Sequence, residues 1–269
     1  MTVPSQISAQ PLVLLGHPGH ELRIYGWLKH HRPEVWIITD GSGASAPPRI
    51  ELSRCVLQSL GLKPGAMFGT YTDRDIYAAI LREDAAFFIA ITREVTRRLI
   101  DGGFTSLVSD ASEGYNPTHD LCNLIAAAAT ARASLESGTS IPHLTFLLTG
   151  LPEGEAHQRH ADDIIMDLDE SLGQEKIQTA LDYARTTDGT LLKEVEETLA
   201  RFGPDIFRHE RLLSHATVDY GTQFAKRRPF YEEHGERRAQ AGHYHEVIRH
   251  RQHMMPLAQA LHQHSLGQA

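Results

Sequence analysis

Residues 12–28, LVLLGHPGHELRIYGWL, decide the fold of the amino-terminal half of this chain. The continuous apolar run 11–15 is typical of a strand covered on both faces, and residues 21–31 then carry apolar side chains at helical spacing. A second buried strand is predicted over 34–39. The pattern is a β-α-β unit, in which the carboxyl ends of parallel strands share one rim of a sheet.

Strands and helices continue to alternate along the chain after this unit. Further strands are predicted over 66–71, 105–109 and 144–148, with helices over 50–60, 75–81, 87–100 and 121–134 and a loop over 110–120. From residue 153 onward the sequence is charged and mostly of helical period, with helices predicted over 176–185, 191–202 and 244–262.

These patterns predict an α/β fold: a Rossmann-like, mostly parallel sheet with helices on both faces and a helical carboxyl-terminal extension. The 269 residues are predicted to form one domain. Residues 11–150 would supply the core sheet and its rim, and residues 153–269 a mostly helical part packed on it.

Composition and charge narrow the classes of partner. Acidic residues outnumber basic ones by 34 to 26, which argues against binding to nucleic acid or to an anionic membrane surface. No segment reaches the roughly 18 uninterrupted apolar residues of a membrane span, and the opening MTVPSQISAQ lacks the features of a secretion signal. A cytoplasmic protein is therefore predicted. Cys55 and Cys122 have no CxxC spacing and are predicted to be buried free thiols.

Histidine is abundant, with 17 copies, and three of these residues follow predicted strands. His17 and His20 come after the first strand, and His119 comes after the strand predicted at 105–109. Three imidazoles with an open fourth position are typical of a catalytic zinc site, in which the metal acidifies a bound water. The alternative is that such pairs arise by chance in a chain rich in histidine.

The stretch Gly16-His17-Pro18-Gly19-His20-Glu21 resembles the A-H-P-D-D-E signature of the PIG-L/LmbE-like family of zinc-dependent N-acetylglucosaminyl deacetylases. Further matches follow in the family's order: Thr39-Asp40-Gly41, Arg49 with Glu51, Leu60-Gly61, Asn116-Pro117-Thr118-His119-Asp120 for the H-P-D-H element, and Lys176, Ala180 and Tyr183 on a later helix. The resemblance is clear over residues 12–148 and fades through residue 207.

The resemblance implies a role for each matched position. His17, His20 and His119 would bind zinc or another divalent metal, with His20 in place of the family's aspartate ligand. Arg49 and Asp73 match positions that contact substrate, although a surface ion pair or a helix start explains them equally well. Glu21 and Asp40 are expected just outside the ligands, where Glu21 would hold backbone or a neighbouring ligand.

Two positions depart from the family. Gly19 stands where the family has its general-base aspartate, and such a base is typically worth about 10²–10⁴-fold in rate. Asn116 stands where the family commonly has a histidine at the oxyanion, and it can still donate a hydrogen bond. Asp110 and Glu113, with Asp40 behind them, are the acidic residues predicted to substitute for the base.

Three functions remain open from the sequence. The first is a zinc-dependent amidohydrolase acting on an N-acylated amino sugar or a similarly polar small metabolite. The second is a catalytically altered protein that serves as a binding or accessory component in glycoconjugate or secondary-metabolite assembly. The third, a nucleotide binder using Gly19, is disfavoured because no GxGxxG follows the first strand. A homo-oligomer is left open for each.

The segment 227–253 is rich in histidine, arginine and tyrosine and is not explained by the resemblance. His250 and His253 share a helix face in the prediction, and a solvated face is favoured over a second metal site. Alternatively, four residues of this segment would close over the mouth of the site and select the substrate: Tyr231, Arg237, Arg238 and Tyr244.

Overall fold

The computed structural model describes residues 10–43, 47–151, 160–187, 189–214, 220–224 and 227–268. Most of the opening segment judged to lack a secretion signal, and the point near residue 153 where the helical part was predicted to begin, lie outside these residues.

A five-stranded parallel sheet in the order β3-β2-β1-β4-β5 forms the centre of the fold. Its strands are β1 (Pro11–Leu15), β2 (Glu34–Thr39), β3 (Pro64–Tyr71), β4 (Ser106–Asp110) and β5 (His143–Phe146). The chain builds outward from β1 to β3 and then returns to place β4 on the other side of β1. The connections diverge between β1 and β4, and in such sheets ligands bind outside the carboxyl ends of the strands at this switch point.

Helices cover both faces of the sheet, which confirms the predicted fold class. The helices of the first half are α1 (Tyr25–His31), α2 (Ile50–Ser59), α3 (Asp73–Leu81), α4 (Ala85–Asp101) and α5 (Pro117–Ser137). Successive residues of β1 alternate between two cores: Leu12 and Leu14 pack with α4 and α5, whereas Val13 and Leu15 pack with α1 and α2. No described helix has both the length and the apolar content needed to cross a membrane.

The second half is largely helical but also contains an unpredicted strand pair. Its helices are α6 (Glu170–Arg185), α7 (Thr190–Phe202), α8 (Tyr220–Gln223), α9 (Phe230–Gln240) and α10 (Met255–Ser265), the last preceded by a π-helical turn, His250–Met254. Strands β6 (Ile164–Asp167) and β7 (His209–Leu212) pair antiparallel, and Leu213 bridges to Thr145 beside β5. Four-residue strands with charged members, such as HERL, give too short a pattern to separate from helix.

Three sequence predictions need correction. The loop predicted over 110–120 is shorter, because α5 begins at Pro117 with Asn116 as its cap. The helix predicted over 244–262 is wrong at its start, since regular helix begins only after residue 249, and α9 was not predicted. Cys122 is buried as predicted, but Cys55 is exposed because α2 turns Val56 and Leu57, not Cys55, toward the core.

Candidate metal centre and active site

Two adjacent strand ends bring three imidazoles together. His17 follows β1, His20 begins a short 3₁₀ turn (His20–Ile24), and His119 lies in the first turn of α5 just beyond β4. Ring centroids are 5.4 Å apart for His17 and His20, 5.2 Å for His17 and His119, and 4.5 Å for His20 and His119. The structure therefore places the three histidines singled out in the sequence side by side at the switch point.

The hydrogen bonds around His17 fix which ring nitrogen carries the proton. Its Nδ1 lies 2.7 Å from the hydroxyl of Thr39 and 2.9 Å from a carboxylate oxygen of Asp73. The Thr39 hydroxyl donates its own hydrogen to the carbonyl of Gly16, at 2.9 Å, so toward His17 it can only accept. Nδ1 therefore carries a proton, and the buried Nε2 has no partner among the described residues.

Asp73 is held in its charged form by these neighbours. Burial raises the pKa of its carboxyl group, but the bond with His17 and the amide of Gly43 outweigh burial, and the pKa falls to about 2. Asp73 begins α3 and is buried. It contacts a histidine of the rim directly, and sequence reasoning had placed it only as a substrate contact or a helix start.

His20 has an equivalent acidic neighbour. Its Nδ1 lies 2.9 Å from Oδ2 of Asp110, the last residue of β4, and the same oxygen accepts the amide of Gly16 at 2.8 Å. Full burial of Asp110 raises the pKa of its carboxyl to about 7, despite the hydrogen bond from Gly16. Its other oxygen, Oδ1, is buried with no partner among the described residues.

Burial also keeps two of the rings neutral. Desolvation lowers the pKa of His20 and of His119, and the neighbouring imidazoles lower both further. The Nδ1 of His119 is buried without a partner in the described part of the chain. Neutral imidazole with a free nitrogen is the form that binds a metal ion.

The three rings fit a metal ion in chemistry and spacing, although their nitrogens do not yet converge. A metal held tetrahedrally by imidazoles sets ring centroids roughly 5 Å apart, close to the separations seen here. Carboxylates on the remote nitrogens of ligating histidines are a recurrent feature of metal sites. Across the described ranges, however, no three His, Cys, Asp or Glu side chains are arranged so that they could hold an ion. A closed coordination shell would require the rings to reorient.

Glu21 holds the loop between the first two histidines. Its Oε2 accepts the amide of Gly19 at 2.8 Å, and the hydroxyl of Ser53 accepts the same amide at 3.1 Å. Gly19 has a φ of 101°, which disfavours any residue with a side chain. Burial raises the pKa of Glu21. The contact with Gly19 is a backbone contact of the kind expected for Glu21.

Glu113 fastens a neighbouring loop. Its carboxylate accepts the amides of Leu148, at 2.7 Å, and Thr149, at 3.2 Å, and also the Thr149 hydroxyl. Burial raises its pKa. Both carboxylate oxygens are therefore engaged in holding the segment that follows β5.

Asp40 and Arg49 likewise bind local backbone. Asp40 accepts the amide of Ser42 at 3.0 Å and its hydroxyl at 2.7 Å, and Arg49 donates from Nε to the carbonyl of Gly41 at 2.9 Å. Arg49 also donates its amide to the carbonyl of Asp40. These bonds shape the loop after β2. The substrate contact of Arg49 and the place of Asp40 just outside the metal ligands stay predictions.

Asn116 caps α5. Its side-chain oxygen accepts the amide of Thr118 at 2.8 Å, and its amide nitrogen donates to the hydroxyl of Tyr77 at 3.3 Å. Burial raises the pKa of Tyr77 to about 12, so this phenol stays protonated. The predicted oxyanion residue thus also positions the helix that carries His119.

An aromatic pair from distant parts of the chain flanks the rings. Tyr115, which is 42% exposed, has its centroid 6.3 Å from that of His119. Phe230 of α9 stacks on Tyr115 at 5.1 Å with the rings 4° from parallel, and the guanidinium of Arg237 lies 5.6 Å from the Phe230 centroid. The carboxyl-terminal part therefore reaches the rim through Phe230, a residue that sequence reasoning missed.

Other predictions for residues 227–253 are revised. Tyr231 is buried, with its hydroxyl 3.4 Å from that of Tyr220, and therefore does not cover an opening. His250 and His253 are also buried, so the solvated helix face predicted for them is wrong. His253 accepts the amide of Arg249, and His250 packs against Tyr220.

Fold and rim together define an α/β protein with a polar, histidine-rich site at the switch point of a parallel sheet. The fold is similar to that of a deacetylase from the biosynthesis pathway of teicoplanin, with a TM-score of 0.51 and 14% identity over 76% of this chain and 96% of that chain. A second similar structure is the A40926 pseudoaglycone deacetylase Dbv21, with a TM-score of 0.46 and 16% identity over 76% of this chain and 96% of that chain. A third is a conserved protein of Thermus thermophilus, with a TM-score of 0.49 and 16% identity over 77% of this chain and 95% of that chain. No protein-family model and no curated protein sequence matches the chain.

Proposed function

We propose that this chain is a metal-dependent amidohydrolase that removes the acyl group from an N-acylated amino sugar or a similar polar metabolite. The observation that carries the proposal is the meeting of three imidazoles at the switch point, two of them with an acidic side chain on Nδ1. The deacetylase of the teicoplanin pathway has a similar fold, which agrees with this chemistry.

His17, His20 and His119 would hold the metal, with zinc as the first candidate. When bound, such a metal polarises an acyl carbonyl and lowers the pKa of a water molecule. The contacts of Asp73 and Asp110 with Nδ1 would leave Nε2 of His17 and His20 as the donor atoms once the rings turn toward the metal. The resulting site would take a small polar substrate at the rim, beside Tyr115.

Because position 19 has no carboxylate, other acidic residues near the histidines have to be considered in its place. Glu113 is occupied by Leu148 and Thr149, whereas Asp110 lies directly against His20. We infer that Asp110 acts by holding the imidazole of His20 and the main chain of Gly16. Asn116, which caps the helix that carries His119, would donate from its side-chain amide toward the oxyanion.

Metal analysis combined with turnover tests the proposal. Purified wild type should carry about one equivalent of divalent metal and release acetate from N-acetylglucosamine derivatives. His119→Ala should lose both, while the exposed His262→Ala serves as the matched control and should keep both. Wild type with neither metal nor turnover would contradict the proposal.

A binding or accessory role is the second candidate, and Gly19 favours it, because glycine cannot accept a proton from water. This function predicts that wild type binds N-acetylglucosamine derivatives without releasing acetate. The same assay therefore separates the two functions.

A further inference from the structure

Tyr183 of α6 occupies the space in which a side chain at position 19 would extend. A Cβ added to Gly19 would lie 3.1 Å from the Tyr183 hydroxyl oxygen and 3.2 Å from two of its ring carbons. Contacts this short require the neighbour to move, and the φ of 101° at Gly19 adds strain for any other residue. The glycine at position 19 and the tyrosine at position 183 therefore depend on each other.

The Tyr183 hydroxyl is buried, and it has no hydrogen-bond partner among the described residues. Leaving a buried hydroxyl unpaired costs about 1–3 kcal/mol, so native proteins rarely do so without a ligand or water to complete it. Tyr183 as a whole is only 4% exposed, whereas Gly19 is partly exposed and has no side chain. The hydroxyl therefore lies directly against the main chain of Gly19, in the loop that joins His17 to His20.

Tyr183 can donate a hydrogen bond but cannot act as a base. Burial raises the pKa of its phenol and the nearby Glu21 carboxylate raises it further, while Arg49 and the Ser53 hydroxyl lower it by less. The phenol remains protonated throughout the neutral range. Its chemistry is thus that of a hydrogen-bond donor, unlike the carboxylate expected at position 19 from the resemblance.

We propose that the Tyr183 hydroxyl donates a hydrogen bond to the acyl oxygen of the bound substrate, taking the place of the polar side chain that position 19 lacks. The inference rests on the proposed function, because it assumes an acyl group at the rim. It adds a substrate-contacting residue from the carboxyl-terminal half to a site whose proposed metal ligands all come from the first half.

Tyr183→Phe provides the test, since it removes the hydroxyl and keeps the ring. Acetate, the product that carries the acyl oxygens, is the probe, and its Kd is measured by NMR titration alongside kcat and KM for an N-acetylglucosamine derivative. The variant should bind acetate about tenfold more weakly and lose at least about tenfold in kcat/KM. Its unfolding temperature should stay equal or rise, because no internal hydrogen bond is lost.

Tyr25→Phe is the matched control. Tyr25 is buried on the same side of the sheet, but its hydroxyl donates to Glu175 at 2.8 Å. This variant should lose stability and keep its acetate affinity, the reverse of Tyr183→Phe.

The affinity for acetate tests the role of Tyr183 independently of whether the protein is a hydrolase. Equal Kd values for wild type and Tyr183→Phe, or no acetate binding by wild type, would overturn the role of Tyr183 even if the enzyme is active. A Tyr183-dependent Kd without turnover would support it while the hydrolase proposal fails. If Tyr183→Phe does not fold, 3-fluorotyrosine at position 183 keeps the hydroxyl, and a ¹⁹F resonance that acetate leaves unmoved counts against the inference.

Discussion

Two buried polar groups, one at the start of α1 and one at the histidine rim, differ in how completely they are hydrogen-bonded. In the first, Lys176 donates to the carbonyl of Arg23 at 3.0 Å and to Glu210 at 2.7 Å. Glu210 also accepts the amides of Gly26 and Trp27, each at 2.8 Å, at the start of α1. Every charged atom of this pair has a partner.

The histidine rim is the second group, and its bonds are incomplete. His17 Nε2, His119 Nδ1 and Asp110 Oδ1 are buried and lack partners within the described residues. Buried polar atoms are normally paired, and an exception points to a ligand, an ion or a water. The satisfied pair thus stabilises the fold, whereas the unpaired atoms of the rim are what the proposed metal and substrate would complete.

Breaking the satisfied pair should give the largest change in stability. Lys176→Met leaves the Glu210 charge buried without its cation, which should cost about 3–5 kcal/mol in the free energy of unfolding. Denaturant titration measures the loss. The exposed pair of Lys29 and Glu175 supplies a control, since Lys29→Met should cost less than about 1 kcal/mol. A small loss for Lys176→Met would show that the pair does not hold the fold.

Binding of a metal at the unsatisfied rim should instead increase the stability of the protein. Zinc added to metal-free protein should raise the unfolding free energy by about 2.7 kcal/mol at a free concentration one hundredfold above its Kd. His20→Ala should lose this gain, whereas His262→Ala should retain it. An equal gain in His20→Ala would place the zinc elsewhere on the chain.

Asp110 links the two kinds of environment, because one oxygen is bonded and the other is free. Asp110→Asn should weaken metal binding about 10–100-fold by loosening His20, as measured by chelator competition. Asp101→Asn, an exposed substitution with the same charge change, is its control. Full metal affinity and full activity in Asp110→Asn would remove Asp110 from the site.

A smaller effect is expected from a second ion pair, between Asp163 and Arg211, whose charged atoms lie 2.6 Å apart. Burial raises the Asp163 pKa, but Arg211 and the amide of Ser214 overcome burial and lower the pKa from 3.8 to about 2. The folded state therefore binds this proton less readily than the unfolded chain does.

The Asp163 carboxylate thus adds stability that is fully present above about pH 4 and is lost as the pH falls through about 2. Asp163→Asn should lower the unfolding free energy at neutral pH and flatten its dependence on pH between these values. The exposed neighbour Asp162→Asn should leave the profile unchanged, and identical profiles for all three proteins would contradict this account.

The sheet could be predicted because its strands are continuous apolar runs bounded by turn residues. β1 and β2 match the prediction residue for residue, since Pro11–Leu15 and Glu34–Thr39 are buried on both faces. The grouping of His17, His20 and His119 could also be predicted, because parallel strands end on a common rim.

Contacts between residues distant in sequence could not be predicted. The pairing of His17 with Asp73, and of Gly19 with Tyr183, depends on how α3 and α6 pack, and no local pattern encodes that. The β6–β7 pair escaped because four-residue strands leave too few positions for a period to show.

Glu210 accepts the amides at the start of α1 from 184 positions further along the chain. During synthesis, α1 leaves the ribosome long before this acceptor exists, so water must serve the first amides of that helix in the meantime. The opening β-α-β unit is therefore completed only when most of the polypeptide has been translated. Chains stalled before β7 should expose this helix start to proteases, whereas released full-length chains should protect it.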